Sequence, residues 1–250
     1  QKRRPALRAV FSAANQIPSW LLTGPPDWLE GVYLPLDELL RHPELPGTLG
    51  VRLPPLWTDQ EQQQLEPLLR SLRERGVRRA LCQNLGQLHL AQELGFALDG
   101  DCALNLFNTE SLRVLTGRGL ASATLSFELN LPQIRDLEKP IPCGILAYGR
   151  LELMLTATCA SDGSSCAVCA LPAQLVDRQG ERFPLMPAAG CRNLILNSRP
   201  VWLADRWEDL EPLGLSFLTL YFTDESPDRV GEVLEAYTAP SDTVRPNSFT

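Results

Sequence analysis

The sequence predicts an α/β fold of TIM-barrel type, small or irregular, with a cysteine-rich metal-binding segment after the seventh strand. Three observations lead there. Seven short apolar runs in the first ~155 residues are each followed by a polar turn and an amphipathic stretch, the pattern of a parallel sheet covered by helices. No G-x-G-x-x-G follows the first strand and no Walker sequence occurs, which favours a closed barrel over an open dinucleotide-binding sheet. Four cysteines, Cys159, Cys166, Cys169 and Cys191, then interrupt the repeat with the spacing C-x6-C-x2-C-x21-C.

The steps run as follows. LRAVFS (7–12) precedes an amphipathic stretch over 16–22, and GVYLPL (31–36) precedes the acidic DELLRHPEL. GTLGVRLPP (47–55) leads to the clearest helix, 59–75, with Leu65, Leu68, Leu69 and Leu72 on one face and Gly76 as its stop. VRRALCQN (77–84) precedes a helix over 85–94. FALDGDCALNLFN (96–108) precedes 110–116, and SATLSFEL (122–129) precedes 132–137. CGILAYGRLELML (143–155) reads as one long strand entering the cysteine region. Beyond Cys191 the pattern resumes weakly in NLILNS (193–198) and PVWLAD (200–205), followed by a helical stretch over 207–213. LSFLTLYFTD (215–224) is a strong strand, and Asp224, Ser226 and Pro227 signal the start of a closing helix over 226–237. One domain is expected over 1–237, with a cysteine-rich insert at 156–192 and a loose polar tail at 238–250. The chain opens on Gln1, so it is expected to be the distal part of a longer protein with a module before it.

The chain has 250 residues, 44% of them apolar and 21% charged, ordinary for a globular domain with a sizeable core. A formal charge of −7 makes the surface as a whole a poor non-specific binder of nucleic acid. Arg73, Arg75, Arg78 and Arg79 form a local basic cluster that would have to compensate. No apolar run reaches the ~20 residues of a membrane span and no secretory leader is visible, so a cytoplasmic location is expected. Of the seven cysteines, Cys82, Cys102 and Cys143 lie in strand-like surroundings and read as structural thiols. The other four match the ligand number of one tetrahedral zinc or one iron–sulfur cluster. Their spacing alone leaves both open.

The reactive end of a parallel barrel is the C-terminal edge of its strands. Arg52, Gln83, Asn84, Asn105, Asn108, Glu128, Asn130 and Arg150 fall there. Arg52 and Arg150 suit a carboxylate or phosphate, because a guanidinium is a rigid fork of donors. Glu128 suits an acid, a base or an arginine partner. The asparagines equally suit helix caps. His42 and His89 lie in no H-E-x-x-H context, and G-x-S-x-G is missing, so zincin and serine-hydrolase readings fall away. A cysteine–histidine peptidase would need one of these two histidines beside a thiol.

The stretches NLGQLHLAQELG (84–95), LDGDCALNLFNTESLRVL (98–115), TLSFELNLPQIRDL (124–137), YGRLELMLTATC (148–159), LVDRQGERFPLM (175–186) and CRNLILNSRPVWLAD (191–205) together resemble the U32 family, long labelled collagenase-like peptidases. The likeness covers nearly the whole chain and is to the distal barrel module of the long bacterial members. It implies a barrel fold and a [4Fe–4S] cluster held by Cys159, Cys166, Cys169 and Cys191. It implies a role in oxygen-independent hydroxylation of an RNA base, in ribosomal or transfer RNA, with prephenate as the anionic metabolite, a peptidase activity being the older alternative. A non-catalytic RNA- or protein-binding module with a structural metal is a further one. On that basis Arg52 and Arg150 are expected to hold the metabolite. Tyr148, which stands where many members carry histidine, is expected to orient it or stack on a base.

Overall fold

The computed structural model describes residues 4–157 and 173–239. Eight parallel strands close into a barrel. They are β1 (Ala6–Phe11), β2 (Leu29–Pro35), β3 (Gly50–Arg52), β4 (Arg79–Cys82), β5 (Ala97–Gly100), β6 (Leu120–Thr124), β7 (Cys143–Gly149) and β13 (Phe217–Phe222). Each of β1–β6 pairs with the next. Strand β13 joins β7 to β1, and β6 closes on the start of β7 through Ala123 and Thr124. Helices α1 (Ser19–Thr23), α2 (Leu36–Arg41), α3 (Asp59–Glu74), α4 (Leu85–Glu93), α5 (Thr109–Gly117), α6 (Leu131–Asp136), α7 (Trp207–Leu210) and α8 (Pro227–Thr238) form the outer layer.

Local chemistry sets these elements. Thr58, Asn84 and Asn130 each close a capping box at the start of α3, α4 and α6, Asn108 caps α5, and Ser226 caps α8 with Pro227 at its first position. The main core lies between strands and helices, where Leu34, Val51, Leu69, Leu72, Leu112 and Val230 are shut off from water. A smaller cluster of Val10, Tyr33, Leu81, Leu146 and Tyr221 fills the barrel axis.

The sequence reads 143–155 as one strand, but the chain breaks there. Gly149 takes φ +118°, and a Cβ on it would lie 2.2 Å from the Tyr221 carbonyl oxygen. Only glycine allows both the left-handed backbone and the close approach. The chain leaves the barrel and forms a four-stranded antiparallel sheet of β8 (Glu152–Thr156), β11 (Arg192–Leu196), β10 (Arg182–Ala188) and β9 (Ala173–Val176), in that order. Strands β9 and β10 are not foreseen from the sequence. The short β12 (Val201–Trp202) then pairs antiparallel with the end of β7, beyond the reach of β6. Gly149→Ala is expected to destabilise the fold by about 1–3 kcal/mol through overpacking and backbone strain. Chemical denaturation measures it, and an unchanged midpoint would contradict this account of the break.

Candidate functional site

Two polar layers lie along the barrel axis. At the N-terminal end, Arg8 Nε and Nη2 donate to the two Glu30 oxygens at 2.8 and 3.0 Å, and Nη2 also reaches Ser122 Oγ at 2.7 Å. Arg79 donates to Asp99 at 2.9 and 3.0 Å and also to the Glu30 carboxylate, and the Tyr33 hydroxyl donates to Asp99 at 2.8 Å. The Arg8 guanidinium carbon lies over the Phe217 ring, 3.8 Å from its centre. These two arginines and two carboxylates balance each other and plug the base of the barrel.

The second layer lies at the C-terminal mouth and borders a cavity of about 80 Å³. Arg52 is its hub. Nε donates to Asp101 at 2.9 Å, Nη1 to the Tyr221 hydroxyl at 2.8 Å, and Nη2 to Gln83 Oε1 at 3.2 Å and Glu152 Oε1 at 2.7 Å. Burial disfavours the Arg52 charge, but Glu152, Tyr221 and Asp101 outweigh it and hold the guanidinium firmly protonated. Burial pushes the Tyr221 hydroxyl up, so it stays neutral at any physiological pH. Arg150 lines the same cavity, and its Nη1 donates to the Asn197 carbonyl at 3.1 Å and to that of Ser198.

The antiparallel sheet is fastened across this mouth. Glu152 ties its first strand to Arg52. At its other end Arg192 grips both Glu61 oxygens at 3.0 Å, which holds the Glu61 carboxyl down at about 2. Met186 on β10 lies 3.9 Å from the Ser12 hydroxyl at the end of β1.

Of the residues expected at the site, the structure brings Arg52, Gln83 and Arg150 together at or beside the cavity. Glu128 is exposed on the loop after β6 and is not among the cavity-lining residues. Tyr148 faces away from the axis. Alternation from the inward Leu146 would point it inward, but Ala147 is an extra residue against β13, so Leu146 pairs with Thr219 and Tyr148 with Leu220. Tyr148 therefore packs against Trp202 and Phe222 in the outer core and donates to Glu225 Oε1 at 2.8 Å. Asn84, Asn108 and Asn130 cap helices, and Asn105 accepts from Ser126 at 2.6 Å. Arg73 and Arg75 donate to helix-end and loop carbonyls, and Arg79 belongs to the basal plug, at the end opposite the mouth. Asp101, Glu152 and Tyr221 were missed from sequence. Tyr221 alternates with Thr219 and Phe217 on the inward face of β13, a signal that was present. Glu152 gave none.

Cys82 and Cys143 are fully buried, and burial pushes the Cys143 thiol up to about 11. Cys102 lines the cavity, its thiol pushed up by burial and then by Asp101. His42 and His89 pair with Glu44 and Glu93 on the outside. Among the described residues no histidine borders the mouth. Cys191 sits exposed at the β10–β11 turn, in the left-handed backbone region at φ +56°. Cys159, Cys166 and Cys169 lie outside the described residues, and among the described ones no group of three potential metal ligands occurs.

The closed parallel barrel, with polar groups converging at the C-terminal ends of its strands, defines a TIM-barrel-like protein. The model of Peptidase family U32 matches residues 49–247, most of the chain, and the chain belongs to that family. Strands β1 and β2, which precede the match, complete the same barrel. No curated protein matches the chain. A mutant tryptophan synthase α-subunit from the hyperthermophile Pyrococcus furiosus is similar with TM-score 0.50 at 10% identity, over 93% of this chain and 97% of that one. A second mutant of the same subunit has TM-score 0.45 at 10% identity, over 93% of both chains. The first likeness is one of fold alone. No helix among the described residues is long and apolar enough to cross a membrane.

Proposed function

We propose that this chain is an iron–sulfur module of the U32 family that supports oxygen-independent hydroxylation of an RNA base. The carrying observation is the convergence of strand ends around Cys191. Thr156, three residues before Cys159, pairs with Asn193 at the start of β11. Ala188, at the end of β10, pairs with Arg192. Ala173, four residues after Cys169, begins β9 and pairs with Leu185 on β10. The described chain thus ends three residues before Cys159 at the same end of the sheet as Cys191, and it resumes four residues after Cys169 on the outer strand β9; Cys166 lies outside the described residues. Cys191 itself offers an exposed thiol from a strained, positive-φ position of the kind that collects at functional sites.

A [4Fe–4S] cluster suits four thiolates, and zinc suits the same number. The family likeness favours iron and sulfide, and a cluster there would supply one-electron transfer. The protein's own groups supply the rest. Arg52 and Arg150 present guanidinium donors to an anionic metabolite such as prephenate. Phe127, at the cavity edge, and Phe107, on the neighbouring loop, are exposed aromatic rings that a splayed base can stack on. Tyr221 and Thr219 add hydroxyl groups to the cavity wall. A thiol peptidase would need a histidine beside a reactive cysteine, and among the described residues there is none.

The test is mass spectrometry of ribosomal and transfer RNA from cells carrying the native full-length protein or its Cys191→Ser variant. A hydroxylated base is expected with the native protein and a loss of at least about tenfold with the variant, since changing even a residue that supports a metal ligand typically costs about 10–100-fold. RNA unchanged by removal of the whole protein would overturn the proposal.

A further inference from the structure

Of the two carboxylates that line the cavity among the described residues, Asp101 and Glu152, only Glu152 comes from outside the barrel wall. Asp101, Gln83 and Tyr221, the other partners of Arg52, come from the ends of β5, β4 and β13 and are all buried. Glu152 comes from the first residue of β8 on the overlying sheet, and its side chain keeps 20% exposure. It lines the same cavity as Arg52 and Arg150.

Its orientation depends on an irregularity. Strands β8 and β11 pair Ile195 with Met154 and then Leu196 with Glu152, so Leu153 is an extra residue. In an unbroken ladder Leu153 would oppose the buried Leu196 and face the barrel, while Glu152 would face solvent with Met154. The bulge reverses this. Leu153 and Met154 are both left exposed, at 50% and 58%, and the carboxylate turns down onto Arg52. The feature that calls for explanation is the carboxylate turned inward onto a buried cation rather than outward to water. Bulges that re-aim a side chain recur beside active sites.

We propose that Glu152 is an internal stand-in for the anionic ligand: it occupies the Nη2 end of Arg52, and a ligand carboxylate binds by displacing it. This inference rests on the anion-binding reading of the mouth given above. Arg52 faces two carboxylates, so an incoming anion meets a neutralised seat until Glu152 withdraws. Because Glu152 begins the sheet whose β10–β11 turn carries Cys191, its release on ligand binding also loosens one of the two ion pairs that, among the described residues, fasten that sheet to the barrel, the other being Arg192–Glu61. Glu152 is thus a positioning residue that links occupancy of the cavity to the placement of the sheet above it.

The test uses the full chain and malonate, a dicarboxylate small enough for the cavity, with binding followed by calorimetry. Glu152→Gln keeps the shape and an acceptor for Arg52 but removes the competing charge, so it should fold and bind malonate about tenfold more tightly than the native chain, equivalent to about 1.4 kcal/mol. Hydrogen exchange of β8 and β11 should rise in the native chain on adding saturating malonate and be already raised in Glu152→Gln without it. Equal malonate affinity in the two proteins overturns the stand-in role and leaves the anion seat in place. Absence of binding to both overturns the seat and the inference with it. Tighter binding by Glu152→Gln with no change in exchange at β8 and β11 overturns the link to the sheet.

Discussion

Arg52→Met will destabilise the protein by about 3–5 kcal/mol, the cost typical of breaking a buried ion pair from one side. Arg52 is 8% exposed and makes four hydrogen bonds at once. Its loss strands Asp101 and Glu152 as partly desolvated carboxylates with no cation between them, and leaves the buried Tyr221 hydroxyl without its partner. Methionine fills much of the stem's volume, so packing contributes little to the loss. The same reasoning predicts a rescue. Adding Asp101→Asn and Glu152→Gln to Arg52→Met removes both stranded charges and should recover more than half of the stability. Urea unfolding of the three proteins measures this. A loss below about 1 kcal/mol, the range of exposed pairs, would show that the hub is solvated and carries little.

Asp99→Asn at the base of the barrel is expected to cost a similar amount, about 3–5 kcal/mol at neutral pH. Asp99 is 1% exposed and accepts from Arg79 twice, from Tyr33 and from Ser122, with Arg8 at 3.7 Å. An asparagine offers one acceptor oxygen and turns an NH2 toward these donors. Arg8 and Arg79 are then left with Glu30 as their only carboxylate in the plug. The pH dependence follows from the direction of the Asp99 shift. Burial raises its carboxyl, but Arg79 and Arg8 outweigh burial and hold it below the usual carboxylate value. A depressed carboxyl contributes stability that is complete above the unfolded value of about 3.9 and drains away as pH falls through the folded value. The native protein should therefore lose stability faster than Asp99→Asn below about pH 4, and the gap between them should narrow. A gap that stays constant from pH 7 to pH 3 would contradict the ion-pair account of the plug.

The barrel was legible because each step repeats the same local chemistry. The Leu-rich faces, the asparagine caps and the Ser226–Pro227 start are short-range signals, and they fix where strands and helices begin. Arg52 was legible for the same reason, as a charged residue ending a buried strand. What escaped the sequence depends on single extra residues. Ala147 turns Tyr148 out of the barrel, and Leu153 turns Glu152 into it. A bulge shifts side-chain direction without changing composition or periodicity enough to be seen. Gly149 splits an apolar run that reads as one strand, because its left-handed backbone cannot be told from an ordinary strand glycine. Arg79 looked like part of a surface patch because three arginines stand near it in sequence. Its β4 position aims it into the barrel base, where Asp99 and Glu30 wait.

The four cysteines remain the centre of the proposal: Cys191 sits at the β10–β11 turn beside the end of β8, and Cys159, Cys166 and Cys169 lie outside the described residues. The most direct test is iron, acid-labile sulfide and zinc per chain in full-length protein purified without oxygen, with the visible spectrum recorded alongside. The expected result is about four irons and four sulfides per site with charge-transfer absorption near 400 nm, all lost in Cys191→Ser. Stoichiometric zinc with no sulfide, or iron loading that Cys191→Ser leaves untouched, would contradict it.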